Sequence, residues 1–174
     1  MNTIFRIAQN TDVGQIWEIL QSAIERRKKD GSNQWQDGYP NPEVVNLDIA
    51  NSHGYVLCND EEIIGYCALL VDDEPDYEVI EGKWLTESEF VVFHRVAISE
   101  KYIGKGQAQK MMLGIEEQTK SWGIRSIKAD TNFDNAAMLK IFEKMGYNYC
   151  GKVYMRGSPR RAYEKVLDAT DIGI

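Results

Sequence analysis

The residues best suited to chemistry stand between Val91 and Met112, where VVFHRVAIS passes through EKYI into GKGQAQKMM. In the turn Ile103-Gly104-Lys105-Gly106-Gln107-Ala108, two glycines and an alanine leave the first N–H groups of a following helix uncovered. The helix dipole favours negative charge there, so a pyrophosphate would fit. Ordinary tight turns use glycine in the same way, and that reading stands beside the first. The spacing is neither the Walker GxxxxGK[ST] nor the dinucleotide GxGxxG. Just upstream stands His94, and imidazole is the side chain best suited to proton transfer at neutral pH. A period of two would put it on one strand face with Val92, Val96 and Ile98. A histidine satisfied in the core, or turned to the far side of a sheet, would read the same.

The elements that must hold these groups follow from periodicity. Thr3 to Ala8 reads as a strand, and Thr11 as the N-cap of a helix whose Val13, Ile16, Trp17, Leu20, Ala23 and Ile24 make one apolar stripe, ending near Gly31. The run Glu25 to Lys29 reads as a solvated last turn that complements the helix dipole. Between Ser32 and Asn41, turn residues surround Trp35 and Tyr39, which either wall a substrate site or tuck into the core. A short helix after Pro42 turns Val45 and Ile49 inward. Gly54 to Cys58 and Ile63 to Val71 form a hairpin around Asn59 to Glu62, and a loop with Gly82 and Trp84 leads to the strand Glu89 to Ile98. A long helix, Gly104 to Trp122, is stopped by Gly123. Ser126 to Thr131, a helix from Asp134 or Asn135 to Gly146, and strands Tyr147 to Met155 and Arg161 to Leu167 around Gly157-Ser158-Pro159 complete the order. The result is an α/β (α+β) sandwich, a single domain over 1–174 with helices on both faces of a mixed, mainly antiparallel sheet of about seven strands.

Composition excludes several functions. The formal net charge of −7 argues against a general nucleic-acid binder. No apolar run approaches the roughly 20 residues of a membrane span, and MNTIFRIAQN lacks the pattern of an export signal, so a cytoplasmic protein is expected. Cys58, Cys67 and Cys150 have no CxxC spacing, which predicts buried free thiols rather than a disulfide framework or metal site. The acidic stretch Asp72 to Asp76 could draw in a cationic amine, although a solvated tip has the same composition.

The chain resembles the GNAT superfamily of acetyl-CoA-dependent N-acetyltransferases. The apolar-Ala-apolar triplet Val96-Ala97-Ile98 leads into a turn of the form Arg/Gln-x-x-Gly-x-Gly/Ala at Ile103 to Ala108. The stretch Asn135 to Tyr147 is similar to a second signature, an Asn, a helix and a Lys-x-Gly-aromatic ending. Two departures stand out, Ile103 where the family usually has Arg or Gln, and Phe142 where many members carry Tyr. The resemblance implies a sheet splayed between its fourth and fifth strands, the ones through His94 and Ala129, to admit the pantetheine arm. Backbone groups of Val96 and Ile98 would pair with that arm, and Ile103, Gly104, Lys105, Gly106, Gln107, Ala108 and Gln109 would hold the pyrophosphate. Ala97 completes the triplet, and Asn135 would contact the cofactor, a helix N-cap being its alternative role.

The implied reaction moves an acetyl group from acetyl-CoA to a primary amine by direct attack, without a metal. His94 is the candidate base, since its place resembles that of a histidine that aralkylamine acetyltransferases carry on this strand. A Phe at 142 has no proton to give a leaving thiolate, so Tyr147, Tyr149, Cys150 or water would have to substitute. Trp35, Tyr39 and Trp84 are candidate acceptor contacts, because an amine beside aromatic faces gains about 0.5 to 2 kcal/mol. The acceptor is a small amine or a peptide lysine. A non-catalytic acyl-CoA sensor is the alternative that Ile103 and Phe142 motivate. Dimers are common in the superfamily, and the resemblance leaves a homodimer open.

Overall fold

In the computed structural model, which describes residues 2–167, the strand β1 (Thr3–Ile7) pairs antiparallel with β2 (Gly54–Asn59), and β2 with β3 (Glu62–Val71). Between β1 and β2 stand α1 (Val13–Lys29) and α2 (Pro42–Ala50). Then follow β4 (Glu81–Gly82), β5 (Phe90–Ile98), α3 (Gln107–Ser121), β6 (Ser126–Thr131), α4 (Ala136–Lys144), β7 (Asn148–Met155) and β8 (Ser158–Val166). The eight strands are hydrogen-bonded in the order β1-β2-β3-β5-β6-β8-β7-β4. One strand more is present than the pattern predicts. β4 escaped notice because its two residues carry no alternation; it exists because Gly82 and Gly151 let two backbones meet. A Cβ on Gly82 would lie 2.2 Å from the Cys150 carbonyl oxygen.

Among the described residues the chain divides into two compact units, one running to Leu69 and adding His94–Gly114, the other holding Leu70–Phe93 and residues 115–167. In the first, strand alternation sorts side chains to two helical layers. Val56, Cys58 and Tyr66 pack with Ile16, Leu20, Ala23 and Val45 of α1 and α2. On the opposite face Phe5 stacks on Tyr55 at 5.4 Å and receives Gly114 of α3, where a Cβ would meet the Phe5 ring at 2.5 Å. In the second unit Tyr77, Val92, Val153 and Ala162 form a core onto which Trp84 and Phe90 pack. There β5 pairs parallel with β6 over Phe90–Val92 and Ser126–Lys128, while β6 keeps its antiparallel register with β8 from Ser126 to Thr131.

Several local expectations are corrected. Thr11 does not cap α1: it lies in a short 3₁₀ turn, and the chain enters the helix through a capping box in which the Asp12 carboxylate accepts from the Gln9 N–H at 2.7 Å. α3 starts at Gln107 rather than Gly104, because Gly104 and Gly106 both sit at φ +77°, outside helical space. The last hairpin turns at Arg156-Gly157, both with positive φ, so Ser158 and Pro159 already belong to β8. The basic run at the end of α1 is not wholly solvated. Arg26 is half-buried and donates to the Ile98 carbonyl at 3.3 Å, and burial lowers its pKa. The three cysteines are free and buried. No helix among the described residues is long and apolar enough to cross a membrane, and those residues hold no cluster of metal-ligating side chains.

Candidate active site

The end of β5 and the turn after it are built from backbone rather than side chains. The Ser99 N–H donates to the Ile64 carbonyl at 2.8 Å, which ties the strand's exit to β3. Lys101 and Tyr102 then both reach Glu62, at 2.5 and 2.6 Å. These bonds hold the 3₁₀ turn Glu100–Tyr102 against the start of β3 and neutralise Lys101. Lys105 is exposed, its ammonium 5.8 Å from the Tyr102 ring centroid. Ile103 is exposed as well and offers no donor.

The first turn of α3 closes when the Lys110 N–H donates to the Gly106 carbonyl at 3.3 Å. The N–H groups of Gly106, Gln107, Ala108 and Gln109 precede that bond, at the end where a helix has donors to offer. At Gly104 and Gly106 a Cβ would have no atom within 4 Å, so the space beside the backbone is open, and the left-handed φ is one that L side chains resist by about 1–2 kcal/mol. An open cradle of donors at a positive helix end fits a pyrophosphate. Lys105 is a cation within the same turn.

His94 lies half-buried on β5, and its neighbour alters the expected geometry. Arg95 adopts φ +58° inside the strand. A left-handed residue interrupts the regular alternation of side chains that a period of two assumes.

Arg95 also organises a buried polar cluster that periodicity does not reveal. Its Nε and Nη2 donate to the two oxygens of Asp48 at 3.0 and 2.6 Å, and its Nη1 to the Tyr39 hydroxyl at 2.5 Å. Tyr66 donates its hydroxyl to the same Asp48 carboxylate. Burial by itself would push the Arg95 guanidinium down. The Tyr39 oxygen and the Asp48 carboxylate outweigh it and hold the group above its usual range. Tyr66 is pushed well up, by burial first and then by the Asp48 charge. The signal that could have found this cluster was charge inside apolar patterns: Asp48 three residues after Val45 on α2's inward face, and Arg95 within VVFHRVAI.

Of the predicted acceptor contacts, Tyr39 belongs to this cluster, and its bond to Pro40 is cis. Trp35 packs against the core of the first unit. Trp84 lies in the second unit, where its indole donates to the Tyr77 carbonyl at 2.8 Å and its ring lies 4.8 Å from the Lys128 ammonium. Asn135 caps α4, accepting from the Met138 N–H at 3.2 Å. A second buried network underlies the Trp84 segment: the Glu164 carboxylate accepts from Leu85 N–H, Thr86 Oγ1 and Ser126 Oγ at 2.6–2.9 Å, and Tyr77 donates to Asp130 at 2.5 Å.

The candidates for a proton donor are placed as follows. Phe142 is fully buried, its ring 4.4 Å from Tyr163 and 5.2 Å from Tyr147. Tyr147 is buried with no hydrogen-bond partner for its hydroxyl among the described residues, and burial, then the Glu116 charge, raises its pKa well above the usual value. Cys150 is buried and its thiol pKa is likewise raised by burial, whereas Tyr149 is exposed. A cleft of about 550 Å³ between α4 and the β7–β8 hairpin, lined in part by Lys140, Tyr149 and Arg161, contains neither His94 nor the glycine turn.

The profile of the acetyltransferase (GNAT) family matches residues 16–147. Among solved structures, a GNAT-family acetyltransferase from Streptococcus agalactiae is 36% identical, with 95% of this chain and 96% of that chain aligned at a TM-score of 0.89. A GNAT-family acetyltransferase from Listeria monocytogenes is 19% identical and has the same fold, covering 95% of each chain at a TM-score of 0.75. A Salmonella typhimurium protein solved with its cofactor acetyl-CoA is 15% identical, with coverage of 97% of this chain and 95% of that one and a TM-score of 0.70. Among curated proteins none matches.

Proposed function

Because this chain belongs to the GNAT family of acetyltransferases, we propose that it transfers the acetyl group of acetyl-CoA to a primary amine by direct attack within a ternary complex. Acetyl-CoA is the cosubstrate, and it supplies a thioester carbonyl that a free amine can attack. The observation that carries the reading is the open, left-handed glycine turn between β5 and α3.

In this proposal Gly104 to Gln109 hold the pyrophosphate through backbone N–H groups, with Lys105 adding charge and Ile103 contributing only its main chain. Val96, Ala97 and Ile98 offer main-chain groups to the pantetheine arm, and Asn135 is a further cofactor contact. His94 takes the proton that an ammonium must lose before it can attack. Phe142 carries no proton, and burial makes the Tyr147 and Cys150 protons hard to remove, which leaves Tyr149 or water to protonate the departing sulfur. Trp35 and Trp84 are the proposed acceptor contacts, and Tyr39 shapes the acceptor side from the loop it shares with Trp35. A small amine is the preferred acceptor; a peptide lysine is the second reading, favoured by the net charge of −7. We place the protein in the cytoplasm.

The test is a calorimetric titration with acetyl-CoA, followed by a free-thiol assay across polyamines, arylalkylamines, amino acids, aminoglycosides and lysine peptides. Saturable binding and amine-dependent thiol release are expected. Saturable binding with no release for any amine would favour a non-catalytic acyl-CoA sensor.

A further inference from the structure

We propose that Tyr39, Arg95, Asp48 and Tyr66 form a latch that seats the α1–α2 loop on β5 and so positions the acceptor site; the inference rests on the reaction proposed above. Two residues bond the guanidinium directly, Tyr39 and Asp48, and Tyr66 joins through the Asp48 carboxylate. Asp48 comes from α2, Tyr66 from β3, and Tyr39 from the loop between α1 and α2. Arg95 comes from the left-handed residue of β5, next to the candidate base.

The chemistry of the cluster argues for holding rather than for binding a ligand. Asp48 is buried and Arg95 largely so, with side chains 7% and 11% exposed, and the pair is net neutral. The fork already spends Nε and Nη2 on Asp48 and points Nη1 at Tyr39, so its strong donor directions are occupied. What the cluster does instead is fix positions. The bidentate pair fixes the guanidinium plane, and with it the left-handed backbone at Arg95 that sets where His94 and Val96 point. The remaining arm fixes the Tyr39 ring, which stands 5.9 Å from the guanidinium carbon, and the loop that also carries Trp35. Gln36 reinforces the loop from the other side, donating to the Ile24 carbonyl at 3.0 Å. Tyr39, Arg95, Asp48 and Tyr66 are therefore positioning residues: the loop that would meet the amine and the strand that would meet the thioester are registered through one ion pair.

The test is a mutant cycle read in steady-state kinetics and hydrogen exchange. Tyr39→Phe removes only the hydroxyl arm. Arg95→Met with Asp48→Leu replaces the buried pair by apolar groups, an exchange that folded proteins often tolerate. Tyr39→Phe is expected to raise the KM for the amine about tenfold in the wild-type background, with kcat changed less than about threefold and the acetyl-CoA Kd within about twofold. In the apolar-pair background the same change is expected to alter KM less than about twofold, because the arm has nothing left to hold. An equal rise in both backgrounds would mean that Tyr39 touches the acceptor itself, and would overturn the latch. Should the apolar pair fail to fold, Arg95→Lys takes its place, since one ammonium cannot serve Asp48 and Tyr39 in the fork's geometry. Hydrogen exchange decides the latch without turnover. Backbone amides between 33 and 41 are expected to exchange about tenfold faster in Tyr39→Phe, and unchanged exchange would overturn it. Absence of turnover in the wild type would instead count against the proposed reaction, leaving the exchange result to stand by itself.

Discussion

At the scale of single residues, His94 and Asp12 make separate and testable claims. If His94 is the base, His94→Ala should lower kcat by about 10² or more while the acetyl-CoA Kd, measured by calorimetry, stays within about twofold. A parallel loss of cofactor affinity would mean that the residue supports the strand instead. Asp12 bears on stability. Hydrogen bonds from Arg6 at 2.8 and 3.1 Å depress its pKa; burial opposes them, and the Gln9 N–H adds to the depression. A depressed carboxylate contributes stability that is present above its unfolded pKa of about 3.9 and is lost as pH falls through the lower folded value. Asp12→Asn keeps an acceptor for Gln9 but drops the charge. It should cost about 1–3 kcal/mol at pH 7 by urea denaturation, and the difference should shrink as pH falls through the lowered folded value. A difference that held constant with pH would refute the assignment. Residues like these were unevenly legible. The glycines before α3 could be read directly, because φ preference is local. The pairing of Arg95 with Asp48 could not, because 47 positions separate them and only the tertiary fold chooses the partner.

At the scale of elements, the β5–α3 turn is the part whose sequence and geometry agree most closely. Its two glycines occur where φ reaches +77°, and α3 begins immediately after them. Gly104→Ala and Gly106→Ala should each cost about 1–2 kcal/mol of stability from the left-handed backbone alone, since no neighbour stands within 4 Å of either added methyl. If the pyrophosphate lies on these N–H groups, the double variant should also bind acetyl-CoA about tenfold more weakly or worse in calorimetry. Unchanged affinity would move the cofactor elsewhere. Elements with strong periodicity, α1, β3 and β6, were legible to within a residue or two. β4 was not, because two residues carry no period, and the positive φ in β5 was not, because Arg95 is an ordinary strand residue by type and no local signal marks its left-handed backbone.

At the scale of the whole molecule, mixed strands and helices in this order made the sheet and its two helical layers readable, and the family profile and the S. agalactiae structure agree with that reading. The acceptor side is less legible, since its candidate residues occupy loops whose shape depends on distant partners: Tyr39 on Arg95, and Trp84 on Tyr77 and Lys128. The account as a whole stands on acetyl transfer by direct attack. The measurement that tests it most directly is a single reaction of the enzyme with acetyl-CoA and the best amine of the panel, in which released CoA, acetylated amine and the intact protein mass are followed together. The account predicts CoA and N-acetyl product in equal amounts at every time point, with the protein mass unchanged. CoA release without acetylated amine, or an acetyl group that accumulates on the protein before product appears, would contradict it.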